Sequence, residues 1–463
     1  MNIEMIDDFS TTERKIYPVV IIGAGPVGLA AAAHLSEKGA AFLVLEAGNS
    51  VAASMLSWGH VKLFSPWQYC FDEAARRILE RYAWVAPDLA DFPTGQDLAE
   101  RFFLPLAATP ELNTYIRTNS RVVSISRFGM DKMKNEGRAE APFIVVTESP
   151  DGTQEVVFAR AVIDASGTYT SPNPLGSSGI AAPGESLQRD SILYRIPDTR
   201  DQDHKRFVSK RVAVVGSGHS AFNSLIELTD LAKDEPGTEV VWVVRKTDLS
   251  STYGGESGDA LPERGALGSH IRALVESKAI RLESGFRIAS VERNELGVIL
   301  VSEDSREILV DEIVVNTGFR PNLTMLSELR LALHPAVESP VALAEMIDPN
   351  FHSCGTVDPH GAVELAHPEK DFYIAGMKSY GRAPTFLMMT GYEQVRSIAC
   401  ELTGDFEGAR KVELVLPETG VCSGDGCCTP PPHRKTLVAT GRPLTSLQVV
   451  QVGAGCDPNS ACC

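Results

Sequence analysis

Two glycine turns, Gly23-Ala-Gly-Pro-Val-Gly28 and Gly216-Ser-Gly-His-Ser-Ala221, each stand between an apolar run and an apolar, helix-like stretch. They constrain the fold more than any other feature, because such a turn joins a parallel strand to a helix and holds one pyrophosphate. The run before the first is Tyr17-Pro-Val-Val-Ile-Ile22, and the stretch after it carries Leu29, alanines 30 to 33 and Leu35. Gly23 and Gly216 allow the tight turn, Gly25 and Gly218 admit the phosphates, and Gly28 lets helix and strand pack closely. The pyrophosphate then rests on the positive end of the helix, against N–H groups that lack partners there, Ser220 among those of the second turn. Two turns imply two dinucleotides. The expected fold is α/β, with two Rossmann-type dinucleotide-binding domains.

The strand that follows each turn ends on an informative residue. Phe42-Leu-Val-Leu45 runs into Glu46, eighteen residues beyond Gly28. An acid there accepts hydrogen bonds from a ribose 2′-hydroxyl and repels a 2′-phosphate. Val240-Val-Trp-Val-Val244 runs into Arg245-Lys246, and a guanidinium there can pair bidentately with a 2′-phosphate. The second nucleotide is therefore expected to be NADP(H). The plainer reading makes both Glu46 and Arg245 solvated residues at strand ends.

A chain of 463 residues, 43% hydrophobic and 22% charged, fits an ordinary globular protein of two or three domains. A net charge of −17 argues against nucleic acid and anionic membranes as partners, since both demand a basic face. The apolar run near residues 19 to 35 is broken by Gly and Pro, so no membrane span is expected. The acidic start, Met1 to Asp8, lacks the apolar core of a secretion signal, and a cytoplasmic location is expected. Cysteine use agrees: Cys70, Cys354 and Cys400 lie in the body, while six fall within the last 42 residues. The total of nine is odd, which favours reduced thiols over a disulfide framework.

Residues 15–170 are expected to form the first part of one nucleotide domain, 205–318 an inserted second one, and 319–410 the return to the first. Helices are expected over Asp72 to Tyr82, from Thr94-Gly-Gln-Asp97, where Thr and Asp resemble a capping pair, and over Thr385 to Leu402. Ser171 to Gly184, rich in Pro, Gly and Ser, is a connector. From Pro417 to Cys463 the composition shifts to Gly, Pro, Ser and Cys, as in a flexible appendage. Its Cys422, Cys427, Cys428, Cys462 and Cys463 could wrap a thiophilic metalloid or metal, or be accidental. The Cys354 to His360 loop, with His352 and His367, is read as structural rather than as a metal site. Lys378 and Arg382 follow the strand Phe372-Tyr-Ile-Ala-Gly376 and are weak catalytic candidates, able to hold negative charge, with surface charge as the alternative. Met377, Met388 and Met389 are read as core.

With both turns, Asp164-Ala-Ser-Gly-Thr168 and Asn316-Thr-Gly-Phe-Arg-Pro321 in view, residues 15 to 410 resemble the flavin-containing monooxygenase superfamily. The resemblance implies FAD over Gly23 to Glu46, NADPH over Gly216 to Arg245 and Lys246, and a catalytic cleft between the domains. It makes Thr317-Gly318 part of the interdomain hinge. It also implies Trp58, within Ser57-Trp-Gly-His-Val-Lys-Leu-Phe-Ser-Pro66, near the flavin, the Val122 main chain near the adenine, and Gly376 near the ribityl and phosphate side. One stretch departs. Gly179-Ile-Ala-Ala-Pro-Gly-Glu185 and Ile192-Leu-Tyr194 stand where that superfamily carries a Phe-x-Gly fingerprint with a later His. The tail, with Pro417-Glu-Thr-Gly-Val-Cys422, resembles flavin-binding monooxygenase-like proteins of bacterial arsenic-resistance operons.

The expectation that follows is NADPH-dependent reduction of FAD, then transfer to O₂ and a small-molecule substrate, a soft nucleophile or metalloid compound. That chemistry resides in the cofactor and needs no triad or metal box. The alternatives are a flavin reductase of thiols, disulfides or metal(loid) ions working through the tail cysteines, and a non-catalytic redox sensor or metalloid scavenger. A homo-oligomer is compatible with the sequence, which fixes no state.

Overall fold

A computed structural model describes residues 17–250, 252–253, 262–350, 357–384 and 386–414. All described residues belong to one compact unit. The tail cysteines, Cys354 and His352 lie outside the described residues.

The chain begins with β1 (Val19–Ile22), β2 (Phe42–Leu45) and β3 (Ile116–Arg117), laid side by side in parallel. An antiparallel sheet follows, made of β4 (Arg121–Arg127), β5 (Phe143–Glu148) and β6 (Gln154–Ala159). The chain then returns as β7 (Ala161–Asp164), parallel to the other edge of β1. A second parallel sheet draws on β8 (Ile192–Leu193), β9 (Arg211–Val215), β10 (Glu239–Val243) and β11 (Arg281–Glu283). A second antiparallel sheet, β12 (Ile288–Asn294), β13 (Gly297–Ser302) and β14 (Glu307–Val310), precedes β15 (Glu312–Val315). Finally β16 (Phe372–Ile374) joins β7.

The first parallel sheet has the order β16-β7-β1-β2-β3 and the second β11-β10-β9-β15-β8. Each therefore reverses strand order beside its central strand, β1 or β9. That is the switch point where open α/β sheets bind ligands, at the carboxyl ends of the strands. The apolar runs explain why the sheets are covered on both faces: Val19 to Ile22 and Val212 to Val215 are buried throughout. The outer strand β8 comes from ahead of residue 205, so the second sheet reaches into the stretch between the connector and that point.

Helix Pro26–Glu37 buries Ala30 to Ala33 against the first sheet. Small side chains let helix Met388–Leu402 come equally close, because a Cβ on Gly391 would stand 2.6 Å from Val27 Cγ2. That helix starts at Met388 rather than Thr385, which is outside the described residues. Helix Glu73–Glu80 occupies the middle of the 72–82 segment, with the Asp72 carboxylate accepting from Ala75 N at 2.9 Å. Thr94 and Asp97 form a reciprocal capping box, after which the helix passes through a π-turn over Ala99–Phe103. Trp67, Phe71, Phe102 and Phe103 fill the core beneath, each contributing roughly 1.5–3 kcal/mol by burial. Among the described residues, no helix is long and apolar enough to cross a membrane.

Candidate dinucleotide sites and the cleft between them

The first turn is built by steric necessity. Gly23 has φ +96°, and a Cβ there would stand 2.8 Å from the Ala165 carbonyl oxygen. Gly28 is tighter still: its Cβ would lie 1.9 Å from the Gly23 carbonyl oxygen. A Cβ on Gly25, the residue that precedes the helix, would meet nothing within 4 Å. The turn is thus packed solid at its first and third glycines and open at the second. Gly25 supplies no side-chain cap, so the first helical N–H groups keep their capacity for an anion.

Glu46 secures this turn as well as ending β2. Its carboxylate accepts from Ala24 N and from Gly48 N, both at 2.7 Å. A carboxylate has about four acceptor positions, so capacity remains for ribose hydroxyls. The same segment is clamped by the start of β4: Ser120 N donates to Glu46 O at 2.8 Å and Asn119 N to Gly48 O at 2.7 Å. Val122 therefore sits two residues from the edge of the Glu46 turn. Gly376, with φ +70°, closes the opposite side, its Cβ position 3.1 Å from Val27 Cγ2. Its N–H donates to the fully buried Gln394 Oε1 at 2.7 Å.

The second turn repeats the pattern. Gly216, at φ +138°, has a Cβ position 2.2 Å from the Asn316 carbonyl oxygen, whereas Gly218 faces open space and precedes helix His219–Asp234 uncapped. Ala221, fully buried, takes the third position. The Trp242 indole donates to Gly216 O at 2.7 Å and holds the turn from below. Arg245 and Lys246 are exposed just beyond β10.

Two crossings join the nucleotide regions, and they are paired with one another. Pro172 bridges Phe319 antiparallel, Asn173 N donates to Gly318 O at 2.9 Å, and Thr317 Oγ1 donates to Asn173 O at 2.8 Å. Tyr169 and Phe319 add ring contact at 5.3 Å. Farther along, Phe64 from the segment after Trp58 reaches His219, the first residue of the second helix, with ring centroids 5.2 Å apart. Trp58 itself is half-buried against Gly95, whose Cβ position lies 2.6 Å from the indole. Two side-chain atoms on these segments are buried without a hydrogen-bond partner: His60 Nε2 and Asn316 Oδ1. The sequence offers neither as a site residue. Asn316 adjoins the Thr-Gly pair that it does offer.

Lys378 does not line an open cleft. Its ammonium lies 2.7 Å from Asp164 Oδ2 and 3.1 Å from Ser166 Oγ, fully buried. Arg382 is more exposed and pairs with Glu338 at 2.9 Å. Cys70 and Cys400 are buried free thiols, and burial pushes the Cys70 thiol up to about 12. His360 Nε2 contacts Gln394 Nε2 at 2.8 Å, while His367 Nδ1 accepts from Ala332 N at 3.3 Å. No group of three or more His, Cys, Asp or Glu able to hold a metal ion occurs among the described residues. Met388 packs against the first core.

Two parallel sheets with a glycine turn at each switch point define a two-dinucleotide oxidoreductase fold. The chain belongs to the pyridine nucleotide-disulphide oxidoreductase family, whose match spans residues 20–346. It is an NADPH-dependent flavoprotein oxidoreductase, with FAD and NADP(H) as its cofactors. It is 21% identical over 342 residues to a ferredoxin–NADP reductase of Ligilactobacillus salivarius, covering 74% of this chain and 82% of that one. The bacillithiol disulfide reductase Bdr of Bacillus cereus superposes with a TM-score of 0.62 at 19% identity, over 84% of this chain and all of the other. A cadaverine monooxygenase of Erwinia amylovora, bound to FAD, gives 0.57 at 14% identity, over 88% and 99%. These likenesses span both reductases and monooxygenases.

Proposed function

We propose that the chain takes electrons from NADPH through FAD to O₂ and a small substrate, as a monooxygenase of soft nucleophiles or metalloid compounds. FAD is assigned to the first turn, with Glu46 on its ribose, Val122 near the adenine, and Gly376 and Trp58 on the flavin side. NADP(H) is assigned to the second, with Gly216, Gly218 and Ser220 on the diphosphate and Arg245 and Lys246 on the 2′-phosphate. In this reading, residues 15–170 and 319–410 form the FAD domain and 205–318 the inserted NADP(H) domain. The open second glycine of each turn fits a pyrophosphate, the group a Cβ there would displace.

The observation that carries the reading is the Phe64–His219 contact, which seats the segment after Trp58 directly against the second turn. Bound there, the flavin supplies hydride acceptance from nicotinamide and electron transfer to the acceptor. The protein's part is positional. The paired crossing at Pro172 and Phe319 joins the two regions, with Phe64 on His219 and Phe319 on Tyr169 adding ring contacts. A thiol relay gains no support from Cys70, whose burial keeps it protonated.

A second reading, electron transfer without oxygen insertion, is favoured by the names of relatives such as the ferredoxin–NADP reductase. The two part in one assay. With the FAD-loaded protein and NADPH in air, a trivalent arsenical or a thioether should raise NADPH consumption, lower the share of H₂O₂ and yield an oxygenated product. Reduction of a disulfide or a redox protein without any oxygenated product would establish the second reading. The link to arsenic resistance rests on the tail resemblance and on that substrate test.

A further inference from the structure

The second sheet presents three carboxyl ends in a row: β10, β9 and β15. β10 leads to Arg245 and β9 to the Gly216 turn, which the proposed NADP(H) site uses for the 2′-phosphate and the diphosphate. β15 leads to Asn316, on the far side of the turn from Arg245. A dinucleotide whose adenosine lies over β10 and whose diphosphate lies over β9 must place its nicotinamide half over β15. There the Asn316 backbone is already pinned: its N–H donates to Val215 O at 2.7 Å, and its carbonyl oxygen abuts the Cβ position of Gly216. Its side-chain Oδ1 is nevertheless buried with no partner. An unmade buried hydrogen bond is a standing cost to the protein, and in native structures it calls for an explanation.

We infer that Asn316 is a binding residue for the nicotinamide half of NADP(H), its Oδ1 accepting from a ribose hydroxyl or the carboxamide NH₂. This rests on the NADP(H) assignment above. The residue discriminates a whole dinucleotide from an adenosine fragment, whereas Arg245 discriminates a 2′-phosphate from its absence. In the free protein the oxygen is enclosed and unpaired, so the side-chain amide must turn toward the ligand to make this bond.

The test uses the full-length holoenzyme and two ligands, NADP⁺ and 2′,5′-ADP, with affinities measured by titration calorimetry. Asn316→Ala should weaken NADP⁺ by about tenfold, the value of one buried hydrogen bond, and leave 2′,5′-ADP within about twofold. Because the substitution removes an unpaired polar atom, the ligand-free thermal midpoint should hold or rise. Asn316→Leu, close in shape, repeats the comparison if the Ala variant packs poorly. Equal weakening of both ligands, or a falling midpoint with an unchanged affinity ratio, would overturn the assignment and make Asn316 structural. Failure of the wild-type holoenzyme to bind 2′,5′-ADP, or indifference of that binding to Arg245→Ala, would instead overturn the NADP(H) site itself.

Discussion

Lys378 and Asp164 form an ion pair 2.7 Å long with both side chains out of solvent, tying the turn after β16 to the carboxyl end of β7. Ser166 completes it, its hydroxyl donating to Asp164 Oδ1 at 2.6 Å and accepting from Lys378 at 3.1 Å. Ala165 and Ser166 are the residues against which Gly23 packs, so the pair braces the first glycine turn from behind. Removing one partner of a buried pair strands the other charge. Lys378→Met should therefore lower unfolding stability by about 3–5 kcal/mol, and the double variant Lys378→Met with Asp164→Asn should recover much of it. Urea denaturation of the three proteins measures this. A single variant as stable as the parent would show that the pair is dispensable.

The two turns differ in how much they can tolerate. At Gly28 a Cβ would collide with the Gly23 carbonyl oxygen at 1.9 Å, and that atom belongs to backbone that cannot swing aside. The second turn already carries Ala221 in this place. Gly28→Ala is expected to abolish flavin retention on purification, read from visible absorbance, while 2′,5′-ADP binding survives. Full flavin occupancy in the variant would mean that helix Pro26–Glu37 can shift without penalty.

What the sequence made legible was local. The glycine turns, the strands that end on Glu46 and Arg245, the Thr94–Asp97 box and the helix after Asp72 each depend on residues within a few positions of one another. What it hid is held together at long range. Asp164 and Lys378 are 214 residues apart, and Thr317 and Asn173 are 144 apart. No periodicity links such partners, so the sequence offers Lys378 as a weak catalytic candidate or a surface charge, whereas its ammonium is already engaged by Asp164. The antiparallel sheets β4–β6 and β12–β14 went unforeseen, since short half-buried strands look like loops beside the apolar runs of a parallel sheet. The Asn316 side chain is illegible for another reason: an unpaired buried oxygen exists only once the fold surrounds it.

His367 predicts how stability depends on pH. Burial pulls its imidazole down to about 4 from the usual 6.5, and Nδ1 accepts from Ala332 N, which requires the neutral ring. The unfolded chain binds a proton near pH 6.5, before the folded one does, so stability is fully present above 6.5 and drains away toward 4. Between pH 6.5 and 5 this single residue should cost up to roughly 2 kcal/mol. His367→Asn should flatten that part of the profile. An identical slope in the variant would assign acid sensitivity to other groups.

Arg245 bears most directly on cofactor choice. It is exposed beyond β10, so truncation should leave the fold unchanged and isolate its effect on the ligand. A charge-assisted hydrogen bond contributes about 1.5–3 kcal/mol, which corresponds to roughly 10- to 100-fold in affinity. Arg245→Ala should raise the KM for NADPH by about that factor and change the KM for NADH by less than about threefold. Equal loss for both cofactors would place Arg245 away from the 2′-phosphate. Lys246 would then become the residue to test, since it stands next along the same strand end.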